Sequence, residues 1–220
     1  HQLFHAILML MSRYMIAPPI DLSHPLLENY SFLLAQLLLN RNISSLDEAH
    51  AFLNPDYANN HDPFLLFNMD ASITRVYEAV KNNERITIYA DYDADGIPGS
   101  VILSSLFEKI GYTNYSVYLP HRHDEGYGIH LDALEKIKGE GTSLVISIDV
   151  GITGHEAALW CKENGIDLII TDHHLPAHDE NRNESLPDAL YVINPKQQSC
   201  NYPDPMLCGC GVIFKFIQAF

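Results

Sequence analysis

The sequence predicts an α/β fold: a parallel five-stranded sheet with helices on both faces, preceded by a small helical segment. Three observations predict it. Before residue 83 the apolar residues recur only at helical spacing; from residue 86 short apolar runs alternate with helical stretches; and acidic or histidine clusters close three of those runs. Apolar runs without polar alternation are strands buried on both faces, and strands alternating with helices imply parallel βαβ connections.

Residues 1–24 are a lead-in, read as a short helix or a disordered stretch. The run from Leu3 to Met11 is apolar but too short to span a membrane, with no basic leader or small-residue cleavage site. Residues 25–82 form the helical segment. Pro25 suits a first turn, and Leu26, Leu27, Tyr30, Leu33, Leu34, Leu37 and Leu38 share one stripe. Ser45 caps the next helix, with Glu48 three residues on in capping-box spacing. Pro55, Asn59, Asn60 and Pro63 make a loop, and 71–82 is a helix with Ile73, Val76, Tyr77 and Val80 inward.

Residues 83–220 form the α/β domain. Its strands are Ile86–Ala90, Tyr115–Leu119, Leu144–Ile148, Leu168–Ile170 and Leu190–Ile193, with helices at 99–110, 130–138, 154–164 and 210–219. The Asn- and Glu-rich stretch 179–185 is the exposed loop.

Composition sets outer bounds. Hydrophobic residues make up 47% of the 220, enough for a real core. A net charge of -15, from 28 acids against 13 bases, excludes a surface coated in positive charge and weighs against a polyanionic partner unless the acids hold metal. Cys161, Cys200, Cys208 and Cys210 show no disulfide framework and read as reduced thiols of a cytoplasmic protein. Cys200, Cys208 and Cys210 lack the paired spacing of a zinc module.

The chemistry lies at the strand ends. Asp91-Tyr92-Asp93-Ala94-Asp95-Gly96 follows the first run, Asp149 closes the third, and Asp172-His173-His174 closes the fourth. Open α/β sheets bind ligands at the carboxyl ends of their strands, so the three clusters meet in one cleft. Alternate residues of an extended chain point the same way, so Asp91, Asp93 and Asp95 crowd their carboxylates together. Such crowding needs compensation, best given by divalent cations. Gly96 and Gly99 permit a sharp turn into a helix whose N-terminus faces a phosphate. Oxygen ligands suit Mg²⁺ and Mn²⁺, and an imidazole tilts the choice toward Mn²⁺. Asp93, Asp95, Asp149 and His173 are the metal-ligand candidates, with Asp149 the bridging one; two ions would clamp a phosphodiester and activate water. His174 would stabilise the leaving oxygen or act as a general acid. An EF-hand is excluded, because its twelfth position would be Ile102 and a strand precedes the loop.

These residues resemble the DHH phosphoesterase family, and its RecJ-like branch in particular. Beside Asp172-His173-His174 and Asp91–Gly96, the resemblance rests on Pro120-His121-Arg122, Glu125-Gly126-Tyr127-Gly128, Asp149-Val150-Gly151-Ile152, Asn194-Pro195-Lys196, and Gly209-Cys210-Gly211-Val212 with Phe214-Lys215. It runs in order over residues 25–220. It implies a 5′-to-3′ exonuclease on single-stranded DNA, dependent on two Mn²⁺ or Mg²⁺ ions, acting in DNA repair and recombination. It implies metal roles for Asp93, Asp95, Asp149 and His173, and catalytic roles for His174 and Asp91. Arg122, Gly126 and Tyr127 become phosphate or nucleic-acid contacts, a guanidinium fork suiting phosphate. Partners would be single-stranded DNA, a single-stranded-DNA-binding protein and a helicase, with no membrane. Pro98, Ala90 and Val150 depart from the usual pattern. The family also carries a further metal-binding Asp, a second core domain and an OB-fold, so the expectation is a DHH domain truncated at its C-terminal end and weak or inactive alone.

Rival readings are a manganese pyrophosphatase, an oligonucleotide or cyclic-dinucleotide phosphodiesterase, and a non-catalytic nucleic-acid-binding relative. The pyrophosphatase pattern wants a His where Tyr89 stands, and a non-catalytic relative would be expected to lose the carboxylates present here.

Overall fold

The computed structural model describes residues 16–220, so most of the lead-in, Leu3–Met11 included, lies outside the described residues. The chain divides into two compact units at Asn60/His61. That division falls earlier than the 82/83 boundary expected from periodicity, because the helix Met69–Lys81 packs in the core of the second unit.

The first unit holds a 3-10 turn at Pro25–Glu28, helix α1 (Phe32–Leu39) and helix α2 (Leu46–Leu53). Ser31 caps α1, and Ser45 and Glu48 form the expected capping box: Glu48 N donates to Ser45 Oγ at 3.2 Å and Ser45 N to Glu48 Oε2 at 3.0 Å. The buried residues are Ile20, Leu26, Ala35, Leu38 and Ala49. Leu33 and Leu37, expected on the inward stripe, are exposed. The chain is broken between the turn and α1, so one continuous helical period does not carry through both.

The second unit contains α3 (Met69–Lys81), β1 (Arg85–Ala90), α4 (Gly96–Lys109), β2 (Tyr115–Tyr118), α5 (Leu131–Gly139), β3 (Thr142–Ile148), α6 (His155–Glu163), β4 (Asp167–Thr171), a small hairpin β5–β6 (Ala177–His178, Glu184–Ser185), β7 (Tyr191–Ile193) and α7 (Gly209–Ala219). The main sheet is five-stranded and parallel, in the order β2-β1-β3-β4-β7. The hairpin carries the exposed stretch 179–183, where Asp179 Oδ1 accepts from Asn181 N and Asn183 N, both at 2.8 Å.

Period-two burial splits the strands between two cores. Ile86, Ile88, Leu144, Ile146, Ile148 and Ile169 face α3, α4 and α7. Tyr89, Val145, Leu168 and Ile170 face α5 and α6. The helices therefore lie on both faces, as a buried parallel sheet demands. Within α3, Val76 is buried as expected but Tyr77 is exposed, while Met69, Ser72 and Ala79 complete the inward face. In this order the chain reverses direction across the sheet between β1 and β3, and the carboxyl ends there frame a crevice.

Candidate metal centre

The strand ladder carries each acidic cluster to the same rim. Asp91 N donates to Ile148 O at 3.1 Å, Asp149 N to Thr171 O at 2.9 Å, and Asp172 N to Ile193 O at 3.1 Å. Each acid is thus the first residue past its strand, held by the neighbouring strand's last carbonyl. The three expected clusters do converge: Asp91, Asp93 and Asp149 place ligand atoms within 4.8 Å of one another, and so do Asp149, His173 and His174. Asp95 joins them, with Oδ2 3.8 Å from His173 Nε2.

Asp149 sits in both groups. Its side chain is 1% exposed, and His173 Nε2 and His174 Nδ1 lie 3.2 Å and 4.0 Å from Oδ1. Oδ1 nevertheless accepts no hydrogen bond, and neither does buried Oδ1 of Asp91. Burial, then the charges of Asp93 and Asp172, push the Asp149 carboxyl up to about 8. Burial likewise raises Asp91. Two buried carboxylate oxygens without donors, beside an imidazole and further carboxylates, are the donor set a hard dication satisfies. Asp149 also has φ 62°, a left-handed conformation that costs a non-glycine residue roughly 1–2 kcal/mol; such strain collects at functional sites.

The remaining groups hold their neighbours in place. Asp93 Oδ1 accepts from Asp95 N at 2.8 Å and Gly96 N at 3.1 Å, and these bonds outweigh burial to lower its carboxyl. The structure gives Asp172, assigned no role from sequence, a clear one. It is fully buried; Oδ2 accepts from Ile152 N at 2.9 Å, while Oδ1 accepts from His173 N at 2.7 Å and His174 N at 3.1 Å and stands 2.8 Å from His174 Nδ1. Every one of these side-chain bonds orients the histidines or the Gly151–Ile152 turn. The Asp172 hydrogen bond raises the His174 pKa against burial, whereas burial and then the charge of His174 lower that of His173. A neutral His173 suits metal ligation.

Glycines set the close approaches. A Cβ on Gly96 would meet Asp91 O at 2.2 Å, so only glycine lets α4 start against Asp91. Gly99, expected to serve the turn, lies inside α4; its missing Cβ admits Ile148 Cγ2, which a Cβ would meet at 2.6 Å. Gly209, at the start of α7, leaves room for Asp149 itself: its Cβ would fall 2.3 Å from Asp149 Oδ1. The Gly209-Cys210-Gly211 motif was the sequence signal for this packing, but not for its partner.

The expected phosphate contacts lie alongside. Tyr127 is 49% exposed, its hydroxyl 3.3 Å from His174 Nδ1 and 3.4 Å from Asp149 O. Gly126, at φ +79°, forms the turn that presents it. Exposed Arg122 stacks over the Tyr92 ring at 4.5 Å, and its Nη2 lies 3.5 Å from Tyr92 O. Glu125 accepts from Tyr118 Oη at 2.5 Å and His121 N at 2.6 Å, closing the loop. Tyr89, fully buried, donates to Gly128 O at 3.0 Å and so anchors the same loop from below.

Residues 85–220 match the DHH family, N-terminal domain, and the chain belongs to that family. It is 38% identical over 187 residues to the single-stranded-DNA-specific exonuclease RecJ of Bacillus subtilis, covering 85% of this chain and 23% of that protein. A crystal structure of exonuclease RecJ bound to manganese is similar at 31% identity and a TM-score of 0.59, over 70% of this chain and 37% of that one. RecJ of Thermus thermophilus in complex with Mn²⁺ is similar at 26% identity and a TM-score of 0.61, over 84% of this chain and 24% of that one. The chain spans about a quarter of the length of the curated relatives it matches.

Proposed function

We propose that this chain contributes the acidic half of a metal-dependent exonuclease site that hydrolyses phosphodiester bonds in single-stranded DNA from the 5′ end, in DNA repair and recombination. The observation that carries the reading is Asp149: a buried carboxylate whose Oδ1 accepts no hydrogen bond, grouped with His173 and His174 and also with Asp91 and Asp93. Similarity to RecJ proteins supports nucleic acid over other phosphoesters.

In this reading Asp93, Asp95, Asp149 and His173 would hold two Mn²⁺ or Mg²⁺ ions. Such ions, when bound, neutralise the phosphate and lower the pKa of a water. Asp91 adds negative charge to the pocket beside Asp93 and Asp149. Asp172 favours the protonated form of His174 and aims its ring, so His174 is suited to give a proton to the leaving oxygen. Arg122 offers a guanidinium fork to a backbone phosphate, and Tyr127, on its Gly126 turn, positions the same strand beside His174. The net charge of -15 repels a polyanion, so DNA must be held by these few residues, the metals and the rest of the enzyme. The setting we infer is cytoplasmic, with a single-stranded-DNA-binding protein and a helicase as working partners; no helix among the described residues is long and apolar enough to cross a membrane.

The pyrophosphatase reading has little support, since Tyr89 is committed to Gly128 and stands where that branch needs a ligand. The test compares 5′-phosphorylated single-stranded DNA, pyrophosphate and a cyclic dinucleotide as substrates with Mn²⁺, using the full-length protein and residues 1–220. The expected result is DNA hydrolysis by the full-length protein and weak or no hydrolysis by the chain alone. Preference for pyrophosphate, or equal turnover by the chain alone, overturns the proposal.

A further inference from the structure

Cys208 and Cys210 flank Gly209 at the start of α7, and their sulfurs lie 3.4 Å apart. Asp95 reaches the same point: Cys210 N stands 3.5 Å from its Oδ1, and one oxygen of Asp95 and both sulfurs lie within 4.8 Å of one another. In a tetrahedral zinc site, Zn–S bonds of about 2.3 Å and a Zn–O bond of about 2.1 Å imply an S···S edge of roughly 3.8 Å and S···O edges of roughly 3.6 Å. The two sulfurs are therefore already near that S···S edge, and the Asp95 oxygen lies within 4.8 Å of both. Cys208 is exposed, which leaves an entry path and a fourth position for water. Nothing in the spacing of the cysteines announces this, because the third ligand lies 115 residues away in the sequence.

We infer that Cys208, Cys210 and Asp95 form a second metal site, selective for a thiophilic dication such as Zn²⁺ or Cd²⁺. Thiolates favour these ions over Mg²⁺ and Mn²⁺, which prefer oxygen and imidazole. The site shares one residue with the candidate metal centre: Oδ1 of Asp95 faces the cysteines, while Oδ2 lies 3.8 Å from His173 Nε2. Filling it engages a carboxylate the centre needs, so a thiophilic ion inhibits Mn²⁺-dependent hydrolysis. This consequence rests on Asp95 being a ligand of that centre; the binding itself does not.

The test titrates the chain with Cd²⁺ alone under reducing conditions and follows the ultraviolet thiolate-to-cadmium charge-transfer band. The expected result is saturation at one equivalent. Cys208→Ser and Cys210→Ser each lose most of the band, Cys200→Ser keeps it, and circular dichroism shows all three folded. A band that survives both Cys208→Ser and Cys210→Ser, one lost with Cys200→Ser, or no band at one equivalent overturns the site. In a second arm the full-length protein is assayed with Mn²⁺ and 5′-phosphorylated single-stranded DNA, with and without stoichiometric Cd²⁺. Inhibition that Cys208→Ser and Cys210→Ser relieve is expected; equal inhibition of the variants overturns the coupling to Asp95. Should no protein hydrolyse DNA, the proposed function fails while the charge-transfer result still decides the site.

Discussion

Gly209→Ala separates helix propensity from site packing, because the two predict opposite signs. Gly209 is the first residue of α7, at a φ that is not positive, so alanine should stabilise the isolated helix by up to about 1 kcal/mol. In the folded protein the added Cβ would fall 2.3 Å from Asp149 Oδ1, 2.6 Å from Cγ and 2.8 Å from Cβ. Those distances are about 1 Å short of ordinary contact. Asp149 has no free space to swing into, since it is 1% exposed and held at φ 62° by its backbone. Either α7 lifts or the carboxylate is displaced. Overpacking of this kind costs about 1–3 kcal/mol, and at this chain length each kcal/mol lowers Tm by about 2–4 °C, so the fall is roughly 2–12 °C. The assay is thermal unfolding by circular dichroism, once with EDTA and once with Mn²⁺. Wild type should gain stability from Mn²⁺, by about 2.7 kcal/mol at a hundredfold excess over Kd. The variant should lose both baseline stability and most of that gain. A variant with wild-type Tm in EDTA and an undiminished Mn²⁺ shift would refute the packing of α7 on Asp149.

Three further perturbations test neighbouring parts of the account. Asp149→Asn, which tolerates the left-handed backbone better than alanine, should abolish Mn²⁺-dependent hydrolysis in the full-length protein while raising metal-free stability at pH 7, since the carboxyl pushed up to about 8 no longer resists burial; calorimetry with EDTA reads the second effect, and lower stability would contradict it. Asp172→Asn should lower activity by about 10–100-fold with the fold kept, because its bonds to Ile152, His173 and His174 orient the site; unchanged steady-state rates would remove its positioning role. Arg75→Met breaks ion pairs of 2.6 Å to both Glu84 and Asp167 and should cost about 1–2 kcal/mol at pH 7. Hydrogen bonds from Arg75 and Ser143 outweigh burial and lower the Glu84 carboxyl, so the pair's contribution is full above 4.5 and lost as pH falls through the folded pKa; urea unfolding should show the difference from wild type shrinking below 4.5, and a constant difference would count against the pairing.

What could be read from the residues alone was whatever depends on neighbours in sequence. The apolar runs at 86–90 and 144–148 announced strands because a buried parallel strand has no polar face. The Ser45–Glu48 capping box announced a helix start because both partners lie within one turn. The acids at 91–95, 149 and 172 marked strand ends, and the rule that ligands bind there placed them together. The tertiary structure decided the rest. Leu33 and Tyr77 lie on apolar stripes yet face outward, since the inward face of a helix is chosen by what it packs against. Helix α3 joined the α/β unit for the same reason, moving the boundary to Asn60/His61. Asp172 became the anchor of the histidines because burial brought backbone donors from Ile152 and its own neighbours onto both its oxygens. Gly209 against Asp149, and Cys208 and Cys210 against Asp95, follow from where α7 returns across the sheet. A local pattern specifies which way a segment turns, but contacts between distant segments are set by the order in which the strands assemble, and that order is written in no single stretch of the chain.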